Sequence, residues 1–220
     1  VGALILGCGT AITSGDWRKL ASSTGSECHE IPATPSKNDL DPLLKTDPIE
    51  RLVVHGTDAD LAAVVVRLVR TVRVMTVPVA YVPVDRKHSE VAQLWGLPAQ
   101  TVDVALTGSV RPAPLVRDDA GGVLMGLGVV PAVKGTVYCD DAVALRGDAV
   151  RIEVRPDRTL GLIVRVVRKG LLRERSETLL GRAIQFGMDP ATPVRDGVAH
   201  PRPVTRWTWY RHTEDLQAIR

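Results

Sequence analysis

The stretch that most constrains this chain is residues 51–69, RLVVHGTDADLAAVVVRLV. Leu52-Val53-Val54 is an apolar strand signal, a polar turn from His55 to Asp60 follows at once, and the run from Leu61 to Val69 is then apolar except for Arg67. A strand that passes through a short turn into a helix leaves the helix's first backbone N–H groups unpaired at the strand's carboxyl edge. Open α/β sheets bind ligands at that edge, and phosphate suits the positive end of the helix. Asp58 or Asp60 can equally cap the helix by accepting from the same N–H groups.

Further strands of such a sheet are expected at residues 1–6, 28–31 and 77–84, the last apolar throughout and so buried on both faces. Gly7-Cys8-Gly9-Thr10 lacks both the G-x-G-x-x-G spacing and a P-loop lysine, and reads as a strand-end turn. A short helix is expected at 16–21 around Trp17, and another at 89–95 that stops at Gly96-Leu97-Pro98. The proline-rich stretch 32–48 between them reads as a connection with a helical turn near Leu43.

Val53-Val54-His55 followed by Gly56-Thr57-Asp58-Ala59-Asp60 resembles the first signature of the diacylglycerol kinase family, which covers bacterial lipid kinases and sphingosine kinases in the NAD kinase-like superfamily. That signature runs from two hydrophobics and a spacer into Gly-Gly-Asp-Gly-Thr. Gly56 and Asp58 match, whereas Thr57, Ala59 and Asp60 replace Gly, Gly and Thr. Each lost glycine adds a Cβ where backbone should approach a phosphate closely. Asp60 would add negative charge beside the nucleotide's own.

A second point of resemblance lies at Pro83, Ala92, Leu94, Gly96, Leu97 and Pro98, the frame of the family's strand, proline, loop and short helix. The family's Gly-Thr-Gly-Asn-Asp loop is replaced here by Asp85-Arg86-Lys87-His88-Ser89. Arg86, Lys87 and His88 are therefore candidates to hold phosphate by charge. The alternative is a solvated basic turn. Where the family has Asp-Gly followed by a reacting acid, this chain has Asp196-Gly197-Val198, and Asp-Gly alone reads as a hairpin turn.

Past Pro98 the period changes. Residues 101–106 alternate Val102, Val104 and Leu106 against Thr101, Asp103 and Ala105, and 150–155 alternate more cleanly still. Strands are expected at 101–106, 110–117, 123–130, 136–139, 150–155, 160–167, 182–186 and 204–211, separated by turn signals. The expectation is an N-terminal Rossmann-like α/β domain over 1–100, nucleotide-binding in type, followed by an antiparallel β-sandwich domain over 101–220. This is the family's two-domain plan.

The resemblance implies ATP and Mg²⁺ if the protein is active. Phosphoryl transfer requires held phosphates, neutralised charge and a positioned acceptor hydroxyl. Asp58 is the candidate catalytic base or metal contact, and Gly56, Thr57, Asp58, Arg86 and Lys87 are the candidate nucleotide contacts; no metal-ligand set is assigned. Two readings stay open: a divergent ATP-dependent lipid kinase acting on a lipid hydroxyl, and a weakly active or non-catalytic relative that binds a lipid or a protein. The eroded loops favour the second. No G-x-S-x-G elbow or H-E-x-x-H pair points to another enzyme class.

Cys8, Cys28 and Cys139 are far apart and form no C-x-x-C pair, which argues against structural zinc and for a reducing cytoplasm. No stretch approaches the roughly 20 apolar residues of a membrane span. The opening apolar run is too short for a signal peptide. A net charge of +3 gives no reason to expect nucleic acid, although 22 arginines against 6 lysines suit forked contacts to phosphate or carboxylate. Trp207 and Trp209 share one face of the 204–211 strand in an arginine-rich tail. They either close the β core or meet anionic headgroups. The partners expected are thus a lipid or an anionic membrane surface, with peripheral association and oligomerisation both open.

Overall fold

The structure, a computed structural model, describes residues 2–45, 48–171 and 173–220. Val1, where the first strand was expected to begin, lies outside the described residues, as do Thr46 and Asp47 of the proline-rich stretch. The chain forms two units, Val1–Ala113 with Glu214–Arg220, and Pro114–Thr213.

The first unit begins with β1 (Leu4–Cys8), a 3-10 turn at Gly9–Thr13, and α1 (Gly15–Ala21). β2 (Glu27–Ile31) and the four-residue α2 (Lys37–Leu40) follow. β3 (Leu52–Gly56) leads into α3 (Asp58–Arg70), and β4 (Val79–Pro83) into α4 (Glu90–Trp95). β1, β3 and β4 are buried at every position, as their unbroken apolar runs require of a parallel sheet covered on both faces. The strands pair in parallel in the order β2-β1-β3-β4. The chain therefore leaves β1 to one side for β2 and crosses to the other for β3. That reversal opens a crevice between the carboxyl ends of β1 and β3, where such sheets bind ligands.

Residues 101–106 are not a strand: α5 spans Thr101–Thr107. Its buried residues are Thr101, Val102 and Ala105, one helical face, with Leu106 packed partly against the same core. Six residues with apolar side chains at 102, 104, 105 and 106 satisfy both periods, and Gln100 supplies no side-chain cap to mark the start. The guanidinium of Arg51, at the foot of β3, donates to the carbonyls of Ala105 and Gly108 and so closes the far end of this helix.

The second unit is antiparallel. Its strands are β5 (Val116–Asp118), β6 (Val123–Leu124), β7 (Gly128–Cys139), β8 (Ala142–Pro156), β9 (Leu162–Arg168) and β10 (Arg175–Gly181). β11 (Ala183–Ala191), β12 (Val194–Arg195), β13 (Val198–Ala199) and β14 (Val204–Arg211) complete it. They run in the order β10-β9-β8-β7-β11-β14-β5-β6, with β12 and β13 set beside β7. Val164 and Val166 of β9 share one buried cluster with Trp207 and Trp209 of β14, although β8, β7 and β11 lie between the two strands in the sheet. The sheet thus curls over a single core, and its two halves face each other as in a sandwich. The expected strand at 110–117 is shortened to β5, because Pro112 and Pro114 remove ladder donors.

Trp207 and Trp209 are both buried, edge to face at 5.8 Å, and Phe186 lies 5.8 Å from Trp209. Their rings close the β core and do not reach a headgroup layer. The last element, β15 (Ala218–Ile219), was absent from the sequence reading; it returns to the first unit and pairs in parallel with β4. Among the described residues no helix is long and apolar enough to cross a membrane.

Candidate functional site

Three loops meet at the carboxyl edge of the parallel sheet, following β1, β3 and β4. His55, fully buried near the end of β3, ties them together. Its Nδ1 lies 2.8 Å from the Val82 carbonyl of β4, and its Nε2 lies 2.7 Å from Ser14 Oγ and 3.1 Å from the Ala11 carbonyl. Ser14 in turn caps α1 by accepting from the Trp17 N–H.

The turn after β3 is a capping box. Thr57 is the N-cap of α3, its hydroxyl accepting from the Asp60 N–H, while Asp60 Oδ2 accepts from the Thr57 N–H at 2.7 Å and the Thr57 hydroxyl at 2.8 Å. Asp60 Oδ1 accepts from the Thr34 N–H at 2.6 Å. Asp60 is buried and its carboxylate is directed into these donors. Asp60 is thus the second half of the helix cap, the capping role the sequence offered for it. Gly56 is required for the same reason. A Cβ there would sit 2.6 Å from Asp60 Oδ2, so the missing side chain admits the capping carboxylate rather than a ligand.

Asp58, the first residue of α3, is half-buried and accepts from three groups. The Tyr81 hydroxyl donates to Oδ1 at 2.8 Å, the Ser89 hydroxyl to Oδ1 at 2.5 Å, and the Val91 N–H to Oδ2 at 3.3 Å. Burial and then the Asp58 charge push the Tyr81 phenol far above its ordinary value, so it stays protonated as a donor. Ser89 also caps α4 by accepting from the Ala92 N–H. One carboxylate therefore joins the starts of α3 and α4. Beneath them Cys8 is buried, and burial with the Asp60 charge pushes its thiol up to about 12, leaving it unsuited to nucleophilic work.

The loop after β4 is held by Asp85. Its carboxylate accepts from the Lys87 and His88 N–H groups and pairs with His88 Nδ1 at 2.7 Å, and these contacts hold the Asp85 carboxyl below its ordinary range. Arg86 and Lys87 are exposed, and the Arg86 guanidinium turns to the Leu97 carbonyl at 3.4 Å. Among the described residues neither side chain bonds to Asp58. The structure thus gathers Gly56, Thr57 and Asp58 in one turn and leaves Arg86 and Lys87 on the neighbouring loop with their charges facing solvent. The sequence reading missed Tyr81, Ser89 and His55. Only Ser89 carries a signal, as the N-cap of a helix that begins at Glu90.

In the second unit Asp196-Gly197 is the two-residue hairpin turn expected, with φ of 47° and 85° between β12 and β13. The Asp196 carboxylate accepts from three successive N–H groups, those of Met125, Gly126 and Leu127, at 2.9, 2.7 and 3.1 Å. This is why the strand expected at 123–130 breaks into β6 and β7. Among the described residues no three His, Cys, Asp or Glu side chains gather as a metal would require.

No family model and no curated protein matches the sequence. Solved structures do. An NAD kinase from Archaeoglobus fulgidus in complex with ATP aligns over 100% of this chain and 94% of its own, with a TM-score of 0.62 and 12% identity. A diacylglycerol kinase from Bacillus anthracis aligns over 99% and 96%, with a TM-score of 0.64 and 12% identity. A further Bacillus anthracis structure of the diacylglycerol kinase type reaches a TM-score of 0.68 over the same shares, also at 12% identity. The fold is the two-domain fold of NAD kinases and diacylglycerol kinases, as the fragmentary motifs implied.

Proposed function

We propose that this protein is a diacylglycerol kinase-like protein whose nucleotide loops have become structural clasps, so that it binds without catalysing phosphoryl transfer. The observation that carries the reading is the Asp58 carboxylate, which takes the Tyr81 hydroxyl, the Ser89 hydroxyl and the Val91 N–H within the protein itself. A carboxylate that serves as base or Mg²⁺ contact must offer an oxygen to the acceptor hydroxyl or the ion. Asp60 is turned into its own helix cap, and the loop after β4 has no glycine to bring backbone against phosphate. The residues present do not fit Mg-ATP.

The competing reading, an active ATP-dependent lipid kinase, draws on the place of Asp58 at the switch-point crevice and on the ATP-bound NAD kinase of like fold. Melting scans with Mg-ATP, Mg-ADP and no ligand decide between them. Millimolar Mg-ATP is expected to leave the midpoint unchanged. A shift equivalent to ~2.7 kcal/mol, the effect of a hundredfold excess over Kd, overturns the proposal. So does phosphate transfer to a diacylglycerol that Asp58→Asn abolishes.

A further inference from the structure

Ser14 and His55 stand as hydroxyl and base at the switch-point crevice. Ser14 follows β1 and begins α1, His55 lies near the carboxyl end of β3, and Ser14 Oγ is 2.7 Å from His55 Nε2. The hydrogen on the ring is placed from its other side. His55 Nδ1 lies 2.8 Å from the Val82 carbonyl of β4, which can only accept, so Nδ1 carries the hydrogen. In the neutral ring Nε2 is then the bare nitrogen, and its lone pair meets the Ser14 hydroxyl. A base held in one tautomer by a third group, with its free nitrogen on a hydroxyl, is the arrangement that activates a serine. Such a constellation is recognised by geometry and needs no G-x-S-x-G elbow.

The surroundings accept the charges that attack creates. Once Nε2 takes the proton it faces the Ala11 carbonyl at 3.1 Å, so both N–H groups of the imidazolium have acceptors. The Trp17 N–H donates to Ser14 Oγ at 3.0 Å and lowers the cost of an alkoxide there. Ser14 is half-buried, whereas His55 is fully buried. Gly15, the next residue, is exposed, and a Cβ built on it would meet nothing within 4 Å. An electrophile can therefore reach Ser14 over Gly15. The N–H of the residue after the nucleophile is also the one that α/β-hydrolases aim at the oxyanion.

Burial of His55 restricts the substrate. Nε2 is enclosed by Ser14 and the Ala11 carbonyl, so it takes the serine's proton but cannot hand it to a departing group. The leaving group must depart as an anion, which aryl oxides and thiolates do readily and alkoxides and amines do not. We propose that Ser14 is an acyl-accepting nucleophile, with His55 as its general base, that takes the acyl group of aryl or thiol esters. Ser14 Oγ bonds to the carbonyl carbon, and its proton passes to His55 Nε2. The carbon–oxygen or carbon–sulfur bond breaks with its electron pair on the leaving aryl oxide or thiolate. The products are acylated Ser14, protonated His55 and the free anion. No nucleotide takes part, so the proposal stands apart from the question of phosphoryl transfer.

The test is acetylation of the full chain by p-nitrophenyl acetate, with the modified peptides mapped by mass spectrometry over time. Acetyl is expected on Ser14 about a hundredfold or more faster than on Ser22, an exposed serine of the same segment, the gain a positioned base supplies. In urea-unfolded protein the two serines should react alike. That comparison is made within one molecule and needs no variant to fold. Ser14→Ala should abolish the fast release of p-nitrophenolate, and His55→Gln should slow it by about a hundredfold or more. Thr13→Ala, whose hydroxyl donates to the Thr10 carbonyl, should leave it unchanged. Circular dichroism and the melting midpoint establish which variants are folded. Acetylation of Ser14 no faster than of Ser22, or fast release whose acetyl is found only on lysines, overturns the proposal. So does a folded His55→Gln protein that acetylates Ser14 at the wild-type rate.

Discussion

The backbone N–H of Thr34 donates to Asp60 Oδ1 across 2.6 Å, so the segment after β2 is fastened to the start of α3 by the carboxylate that caps that helix. Asp60 serves three donors, and an amide in its place has a single acceptor oxygen. Asp60→Asn is therefore expected to cost about 1–3 kcal/mol, the usual penalty for leaving a buried donor unpaired. Urea unfolding of the two proteins measures it. An unchanged midpoint would mean that the Thr34–Asp60–Thr57 clasp carries no stability.

Ser89 and Asp58 join two helix starts and should be energetically coupled. Asp58→Ala leaves the Ser89 hydroxyl and the Val91 N–H without their acceptor and the Tyr81 hydroxyl with the Gly56 carbonyl alone, whereas Ser89→Ala removes one of those donors in advance. The double variant should then be more stable than the sum of the single losses by about 1 kcal/mol. Strict additivity in a double-mutant cycle would show that the bond does not form in solution.

Trp209 is fully buried against Phe186 and Trp207. Trp209→Ala should cost about 3–5 kcal/mol by emptying an aromatic site. Trp209→Phe should cost markedly less, because the indole N–H that it removes has no hydrogen-bond partner among the described residues. Thermal midpoints of the two variants separate shape from polarity. Equal losses would reveal an acceptor for the N–H.

Glu153 gives the β unit an acid limit. Burial would raise its carboxyl, but hydrogen bonds and charge from Arg151 and Arg155 outweigh it and hold the group below the ordinary glutamate value. A group depressed on folding stabilises the protein at pH above its unfolded value, about 4.3, and loses that contribution as pH falls through the lower folded value. Glu153→Gln should therefore destabilise the protein at pH 7 and flatten stability between pH 5 and 3. A wild-type slope retained in the variant would assign the acid transition to other carboxylates.

Much of this was legible from residue order. β3 and β4 showed as unbroken apolar runs because parallel strands covered on both faces tolerate nothing else. Asp196-Gly197 showed as a turn because both positions need positive φ. α5 was hidden by the shortness of its window, where alternation and helical spacing coincide. Tyr81 was hidden because it looks like any core aromatic until the fold carries its hydroxyl to Asp58. The second partner of Asp60 was hidden for a related reason: Thr34 lies 26 residues earlier and carries no local signal. β15 is two residues long, too short for any pattern, and only the open edge of β4 gives it a place.

That return of the chain sets an order of assembly. Glu214–Arg220 belongs to the first unit, yet the whole of Pro114–Thr213 is synthesised before it. Until the returning residues arrive, β4 presents a flank of unpaired backbone groups, a template for any other extended chain. The N-terminal unit therefore finishes folding only after the β unit has been made. Loss of a few residues near position 218 would expose a sticky strand in the half of the molecule farthest from the cut in sequence.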